Sequence, residues 1–288
     1  MSALPHAIIQ SFSYLHISQY ATVAAVALVI WDYFILLPEE VALVWPARWN
    51  LSKFLFMVNR YLVFVDTALL VYVLILGDDA TVCEITFKAS GAITLTGFLV
   101  SESILFLRAY AVWGSHFTKH FAVVLCLFLG MNVSCYWVLV KYLGGVSSTG
   151  PPAVGITGCT LNFRNRLVWI NFVTGAMFES LCTFLLIVKT VQNSRFFRSP
   201  LMRVMFRDGI AYFVYMFIAS IANVIVLLAA PAEINGFLIV VERVLYSVLC
   251  SRIILNIRGA FGTQIYAHRT AGDLPSVEIS IRTTVESL

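Results

Sequence analysis

The chain has 288 residues, of which 60% are hydrophobic and only 12% are charged, and its mean hydropathy is +0.89. Soluble proteins contain about 45–50% apolar and about 25% charged residues, because polar side chains must cover their surface. This composition excludes a water-soluble globular domain and indicates that lipid covers much of the protein. The basic residues behind the net charge of +4 are scattered between apolar runs, so no nucleic-acid partner is predicted.

Seven apolar stretches are long enough to cross the hydrocarbon core of a bilayer, which takes roughly 20 helical residues. They fall at residues 17–36, 53–76, 87–107, 121–141, 167–189, 209–229 and 236–255. Each stretch is expected to be helical, because lipid cannot satisfy the hydrogen bonds of a bare backbone. The predicted fold class is all-α: a polytopic membrane protein with a seven-transmembrane helix bundle over residues 17–258.

The distribution of Lys and Arg predicts the orientation, because positively charged loops resist translocation across the membrane. Thirteen of the 19 basic residues follow spans 1, 3, 5 and 7: Arg48, Lys53, Arg108, Lys119, Lys189, Arg195, Arg198, Arg203, Arg207, Arg252, Arg258, Arg269 and Arg282. The opposite side carries Lys88, Lys141, Arg164 and Arg166. We therefore expect an extracellular N-terminus (1–16), a cytoplasmic C-terminus and a location in the plasma membrane.

Three polar segments lie outside the predicted spans. The connection 142–166 is rich in glycine, proline and serine and is predicted to be an irregular outer loop. Residues 259–288 are too polar to form a core and are predicted to be a flexible cytoplasmic tail. Asn50-Leu51-Ser52 has the pattern of a glycosylation acceptor, but it falls in a loop predicted to be cytoplasmic, so a glycan on Asn50 would contradict the orientation.

The six cysteines divide by their predicted depth. Four of them lie within spans, where a thiol behaves as a small apolar side chain: Cys126, Cys135, Cys182 and Cys250. Cys83 and Cys159 both fall on the outer, oxidising side, and a disulfide between them would hold the long loop over the mouth of the bundle. The alternative is two unpaired outer thiols.

Seven charged residues lie at least four residues from either end of a predicted span, at a depth where each costs roughly 2.5–3.5 kcal/mol. They are Asp32, Arg60, Asp66, Glu102, Glu179, Glu242 and Arg243. Helical rise places Asp32, Arg60 and Glu102 in the inner third of the bilayer, where they are predicted to form one pairing layer. Asp66 and Glu179 fall near the midplane. The surplus of acids over bases leaves three explanations: protonation, a bound cation or access for water.

Adjacent charges and small residues give further predictions about the bundle. Glu242 and Arg243 point about 100° apart on their helix, so we expect them to pair with different neighbours. Small and polar side chains recur at helical spacing on span 3, at Ser90, Thr94, Gly97 and Ser101, and on span 5, at Asn171, Thr174, Gly175, Cys182 and Thr183. These rows predict either a ligand-facing stripe or close helix packing, and packing is favoured.

The sequence lacks the residues that several kinds of membrane-protein site require. Spans 6 and 7 contain no lysine, which argues against a retinal Schiff base, and the histidines at 6, 16, 116, 120 and 268 fall outside the predicted spans, which argues against intramembrane haem or zinc sites. No phosphate-binding loop or serine-nucleophile motif is present. We therefore expect a protein that is not an enzyme and uses no cofactor or metal.

One dense block of aromatic and charged residues occupies positions 20–66. It contains Trp31-Asp32-Tyr33, Glu39-Glu40, Trp45, Trp49, Ser52-Lys53, Leu55-Phe56 and Asn59-Arg60-Tyr61. This block resembles the N-terminal domain, of unknown function, of a family of seven-span membrane proteins from mushroom-forming fungi. The resemblance implies kinship and no particular chemistry.

A weaker resemblance is to G-protein-coupled receptors. The predicted seven spans, the outer cysteine pair, Arg108-Ala109-Tyr110 after span 3 and a basic third inner loop agree with that class. The chain departs from it at Leu107, where receptors carry an acid, and it has no proline in span 6 and no Asn-Pro-x-x-Tyr in span 7.

These features predict a receptor-like sensor whose ligand biases two packings of the bundle. Its cytoplasmic basic face would meet a cytosolic signalling partner or anionic lipid, and it consists of Arg108, Arg195, Arg198, Arg203 and Arg207. The membrane topology alone also explains a basic loop at this position. The alternatives are a cation- or proton-coupled transporter or channel that uses Asp66 and Glu179, and a structural membrane scaffold.

Overall fold

The computed structural model describes residues 6–113, 118–151, 157–192, 200–229 and 235–270. Within these ranges the chain forms seven long helices and one β-hairpin. The elements are α1 (His6–Leu43), α2 (Leu51–Val71), α3 (Ala80–Trp113), α4 (Thr118–Leu143), β1 (Val146–Gly150), β2 (Thr160–Phe163), α5 (Trp169–Gln192), α6 (Pro200–Ala229) and α7 (Asn235–Thr270). A π-helical turn, Tyr72–Leu76, extends α2.

Five helices are long and apolar enough to cross a membrane. The segments are His16–Leu43, Leu51–Leu76, Ala80–Leu107, Ala122–Leu143 and Trp169–Val188, and α6 contains a shorter apolar segment, Val214–Ala229. Large apolar side chains such as Trp31, Val133 and Met177 are exposed on the outside of these helices. An apolar outer surface on long helices is the property of an integral, multi-pass, all-α membrane protein.

The core consists of apolar side chains packed between the helices. Phe106, Phe128 and Phe178 join α3, α4 and α5, with ring centroids 5.7 Å apart for Phe106–Phe128 and 4.9 Å apart for Phe128–Phe178. A second cluster, which includes Phe56 and Ile254, joins α1, α2, α3 and α7. The helices are thus held together by both of these apolar layers.

The first and last helices are longer than predicted. Helix α1 begins at His6, so most of the segment predicted as an outer N-terminus is helical, and His16 lies within the first apolar helix. No glycine or proline interrupts the chain between His6 and Leu37, so backbone hydrogen bonding continues beyond the apolar stretch. Helix α7 runs to Thr270, so the predicted tail is helical over 259–270, and residues 271–288 lie outside the described part.

The prediction of an irregular loop at 142–166 is wrong in part, because β1 and β2 pair antiparallel within it. Aromatic contacts anchor the hairpin: the ring of Phe163 stacks on Tyr142, with centroids 6.0 Å apart, and meets the edge of Phe87 at 5.8 Å. The composition of the loop was dominated by turn-forming residues, and these contacts to α3 and α4 outweigh that local preference.

The hairpin is bonded to the helix ends beside it. Cys83 and Cys159 form a disulfide, with Cα atoms 6.3 Å apart. The backbone N–H of Cys159 donates to the Val73 carbonyl at 2.9 Å, and Gln19 Nε2 donates to the Leu74 carbonyl at 2.7 Å. Gly158 has φ +100° and lies where a Cβ would overlap the Leu74 carbonyl oxygen, so glycine is required there. We call this end of the bundle the disulfide end.

Candidate functional site

Most of the charged side chains inside the bundle are buried in two separate clusters. The first, which we call the arginine clamp, consists of Asp32 and Glu40 on α1, Arg60 on α2 and Arg252 on α7. Arg60 Nε lies 2.5 Å from Glu40 Oε2, and Arg60 Nη1 lies 3.8 Å from Asp32 Oδ2. Arg252 Nη2 lies 2.8 Å from Asp32 Oδ1. The clamp therefore fastens three helices at the end opposite the disulfide.

Neighbouring donors complete the shell around Glu40, which is fully buried. The Tyr61 hydroxyl donates to Glu40 Oε1 at 2.8 Å, and Trp45 Nε1 donates to the same oxygen at 3.3 Å. Lys53 is buried and donates to the carbonyl oxygens of Trp45 and Ala47 at 2.9 and 2.7 Å. These bonds close the α1–α2 connection, so Lys53 acts in folding rather than as a loop charge.

Asn50 is also engaged in this connection. Its side-chain oxygen accepts a hydrogen bond at 2.8 Å from the backbone N–H of Lys53 and so caps the N-terminus of α2. The local structure therefore accounts for Asn50 without a modification.

The predicted layer of Asp32, Arg60 and Glu102 is wrong in its third member. Ser101 turns toward α2, where its hydroxyl donates to Asn59 Oδ1 at 2.8 Å. Glu102 points about 100° away from Ser101 and faces α5 instead. Its Oε1 lies 2.9 Å from where a Cβ on Gly175 would be. The depth of Glu102 was predictable, but its direction depends on which helix packs beside it.

The second cluster, which we call the central cluster, surrounds Arg243 on α7. Arg243 Nε donates to Asp66 Oδ2 on α2 at 3.0 Å, and Arg243 Nη1 lies 3.5 Å from Asn59 Oδ1. Arg243 and Asp66 are both almost completely buried. A Cβ on Gly97 of α3 would overlap the guanidinium, so this small residue provides the space for the charge.

A separate chain of hydrogen bonds joins α7 to α5 and α6. The Ser220 hydroxyl donates to Glu242 Oε1 at 2.6 Å, and Asn223 Nδ2 donates to Glu242 Oε2. The hydroxyl of Tyr246 donates to Glu179 Oε1 and lies 3.3 Å from the Ser220 hydroxyl. Glu242 and Arg243 therefore reach different helices, as their spacing on α7 predicts.

A cavity of about 130 Å³ lies beside the central cluster and touches helices α2 to α7. Its wall is mostly apolar and contains Leu95, Phe98, Leu99, Leu139, Val168, Phe172 and Val240. The charged residues of the lining are Asp66, Glu102, Glu242 and Arg243. Asp66 lines this cavity. Glu179 lies behind the lining and accepts a hydrogen bond from the cavity-lining Tyr246, so the two midplane acids have different surroundings.

Four buried atoms of this lining have no hydrogen-bond partner among the described residues: Asp66 Oδ1, Glu102 Oε2, Asn171 Oδ1 and Arg243 Nη2. Buried polar atoms are normally paired, because an unpaired one loses its hydration without replacement. Unsatisfied groups beside an open volume are therefore the chemical signature of a binding site.

The predicted basic face is only partly within the described chain. Arg195 and Arg198 lie outside the described residues. Arg108 lies in the last turns of α3, and Arg203 and Arg207 lie in the first turns of α6, but their side chains are not among those that the structure describes. The basic face therefore stays a prediction.

Three of the four residues of the arginine clamp lie in a segment that matches a protein-family model. Residues 20–65 match DUF6533, a family of unknown function. No curated protein matches the chain. The DUF6533 match contains Asp32, Glu40 and Arg60 together with the α1–α2 connection that they hold. Within this chain, the segment shared with DUF6533 therefore holds α1 and α2 together, and the first cavity-lining residue, Asp66, directly follows the match.

Sequence reasoning missed Glu40, Arg252 and Tyr246 as partners in these clusters. Arg252 was assigned to the tail, although it falls inside the apolar stretch 236–255, and this position was a usable signal. Glu40 was noted only as part of the family-like block. Nothing in the sequence distinguishes Tyr246 from the other eleven tyrosines, because its role depends on where Glu179 lies.

Proposed function

We propose that this protein is a receptor-like membrane sensor in which a small molecule binds the cavity and shifts the bundle between two packings. The observation that supports the proposal is the cavity itself, because its lining touches α2 to α7 and includes the ion pair Asp66–Arg243. A molecule in this position would contact the groups that hold the helices together. Differential contacts of this kind are what a ligand needs to shift a conformational equilibrium.

The proposal includes the finer topology that the sequence predicts. All seven helices cross the plasma membrane, the N-terminus is outside and the C-terminus is cytoplasmic, as in the fungal seven-span family and in G-protein-coupled receptors. The output is recruitment of a cytosolic signalling partner or anionic lipid by the basic residues from Arg195 to Arg207. In this proposal the protein catalyses no reaction.

The proposal can be tested with the full-length protein in lipid nanodiscs and benzyl alcohol as a neutral probe of the cavity. Spin labels on Lys119→Cys and Arg203→Cys, in a Cys126→Ser background, report the distance between α4 and α6. We expect saturating probe to shift the distance distribution. Binding of the probe without any shift would refute sensing while leaving the binding site intact.

A matched pair of glycine substitutions separates the cavity from general effects of the probe on lipid. A Cβ at Gly91 would lie 3.3 Å from the Leu143 side chain at the cavity wall, whereas a Cβ at Gly130 on α4 would have no atom within 4 Å. We expect Gly91→Leu to abolish the probe-dependent shift and Gly130→Leu to retain it. A shift that persists in Gly91→Leu would place the effect in the bilayer.

A second candidate is a proton- or cation-coupled transporter. The hydrogen-bonded chain from Glu179 through Tyr246 and Ser220 to Glu242 favours it, because hydroxyl and carboxyl groups in series can pass protons. Ion flux in proteoliposomes that disappears in Asp66→Asn or Glu179→Gln would support transport. If neither flux nor a ligand response is found, a structural scaffold becomes the better explanation.

A further inference from the structure

We propose that the cavity selects a small cationic ligand, an amine carried on an apolar body about the size of one aromatic ring, and that Glu102 is its counter-charge. This inference rests on the proposed ligand site and adds the chemical class of the ligand. It is argued from the pairing of the charges around the cavity, the surroundings of Glu102, and the size and lining of the cavity.

The charges that line the cavity are unequally paired. Asp66 and Arg243 bind each other, and Arg243 also meets Asn59. Both carboxylate oxygens of Glu242 accept hydrogen bonds, one from Ser220 and one from Asn223. Glu242 and Glu102 both lack a cation among the described residues, but Glu242 has a hydrogen-bond donor on each oxygen, whereas Glu102 Oε2 has none.

Glu102 is built into the site, not placed at a surface. It is 5% exposed, it lines the cavity, and its Oε2 has no hydrogen-bond partner among the described residues. Its Oε1 faces Gly175, which has no side chain to donate a bond. The charged residue that interacts with Glu102 is another acid, Glu179. Glu179 Oε1 already accepts a hydrogen bond from the Tyr246 hydroxyl.

A buried carboxylate beside another acid is best stabilised by a donor that also carries positive charge. Within the described residues, the protein supplies neither a hydrogen-bond donor to Glu102 Oε2 nor a positive charge paired with Glu102. An ammonium group on a ligand would supply both, because it provides up to three donors and the compensating charge.

The rest of the cavity fits the apolar body of such a ligand. An engineered apolar cavity of about 150 Å³ in another protein holds benzene, and the volume here is about 130 Å³. Phe98 packs edge-to-face with both Phe172 and Tyr246, with ring centroids 5.9 and 5.1 Å apart. All three rings line the cavity, and aromatic faces attract cations as well as aromatic rings.

Three probes of similar size and different charge test the inference: benzylamine, benzyl alcohol and benzoate. Their dissociation constants are measured on the full-length protein in nanodiscs of zwitterionic lipid, at pH 7. We expect benzylamine to bind at least about tenfold more tightly than benzyl alcohol, the gain of one charge-assisted hydrogen bond, and benzoate to bind most weakly. Tightest binding of benzoate would assign recognition to Arg243 and overturn the inference.

A matched pair of substitutions on α3 assigns the preference to one carboxylate. Glu102→Gln is expected to reduce benzylamine affinity to that of benzyl alcohol measured on the same variant. Glu84→Gln changes a carboxylate of the same helix that lies outside the lining and pairs with Lys88, and it should preserve the preference. A preference that survives Glu102→Gln would refute the role of Glu102.

The outcomes separate this inference from the proposed function. Equal binding of all three probes would refute the charge preference and leave the cavity as a ligand site. Tight benzylamine binding without a distance change between α4 and α6 would refute sensing and retain the inference. If no probe binds, both fail. The ranking of the three probes on the unmodified protein is decisive even if Glu102→Gln does not fold.

Discussion

Single glycines determine where charged side chains can lie within this bundle. Gly97 leaves room for the Arg243 guanidinium, and Gly175 leaves room for Glu102. The sequence predicted that the small residues of α3 and α5 serve close helix packing. At these two positions they accommodate large charged groups, so a pattern of small residues does not by itself distinguish the two roles.

Gly97→Ala should destabilise the protein by about 1–3 kcal/mol, because the new methyl group would overlap the Arg243 guanidinium and force it to move. Thermal unfolding in nanodiscs measures the effect. Gly130→Ala serves as the control, since a Cβ there meets nothing within 4 Å, and it should unfold at the unmodified temperature. Equal behaviour of the two variants would show that Arg243 has free space elsewhere.

The buried pair Asp66–Arg243 should show strong coupling between its two members. Arg243→Met alone leaves the Asp66 carboxylate buried without a cation and should cost about 3–5 kcal/mol, whereas adding Asp66→Leu should recover most of the loss. A double-mutant cycle on thermal stability measures the coupling. Additive losses would mean that the two residues act independently.

At the scale of elements, the arginine clamp holds α1, α2 and α7 together. Arg60→Leu leaves Glu40 and Asp32 without their shared cation and is expected to lower stability by about 3–5 kcal/mol, seen as reduced yield of folded protein in size-exclusion profiles. Arg48→Leu, in the exposed connection, should stay within about 0.5 kcal/mol of the unmodified protein. Loss of folding in both variants would point to net charge instead.

The hairpin is held by a disulfide and by backbone hydrogen bonds, and we expect the hydrogen bonds to persist when the disulfide is removed. Cys83→Ala with Cys159→Ala removes a link across 76 residues, and chain entropy predicts a loss of up to about 4 kcal/mol. The backbone bond from Cys159 to Val73 remains, so the strands should still form. Hydrogen exchange over 146–163 should rise without reaching the rate of an unfolded peptide; unchanged exchange would show that the disulfide contributes nothing there.

Hydropathy predicted the apolar helices well because the need to satisfy the backbone in lipid acts on each stretch separately. Hydropathy could not predict which charged side chains pair with each other. Arg60 pairs with Glu40 and not with Glu102, since the choice depends on which helices are neighbours and how each is rotated. The strands at 146–150 and 160–163 were missed for the same reason, because their stabilising contacts come from Phe87 and Tyr142 on distant helices.

At the scale of the whole molecule, the buried polar groups form two separate sets, the arginine clamp and the lining of the cavity. The arginine clamp lies near the α1–α2 connection within the DUF6533 match, and the cavity with its unpaired acid lies among α2 to α7. The clamp is satisfied by neighbouring donors, whereas the cavity retains unsatisfied atoms. The former is suited to stability and the latter to binding.

Helix α7 has 36 residues, and at about 1.5 Å per residue this is a rod of about 54 Å. In the proposed topology α7 crosses the bilayer, whose hydrocarbon interior is about 30 Å thick, so part of the helix would extend beyond it. Arg243 sits near one tip, while the backbone runs unbroken to Thr270 at the other. A tilt of α7 by a few degrees about a point near Arg243 would therefore displace the C-terminal end of the helix by several ångströms.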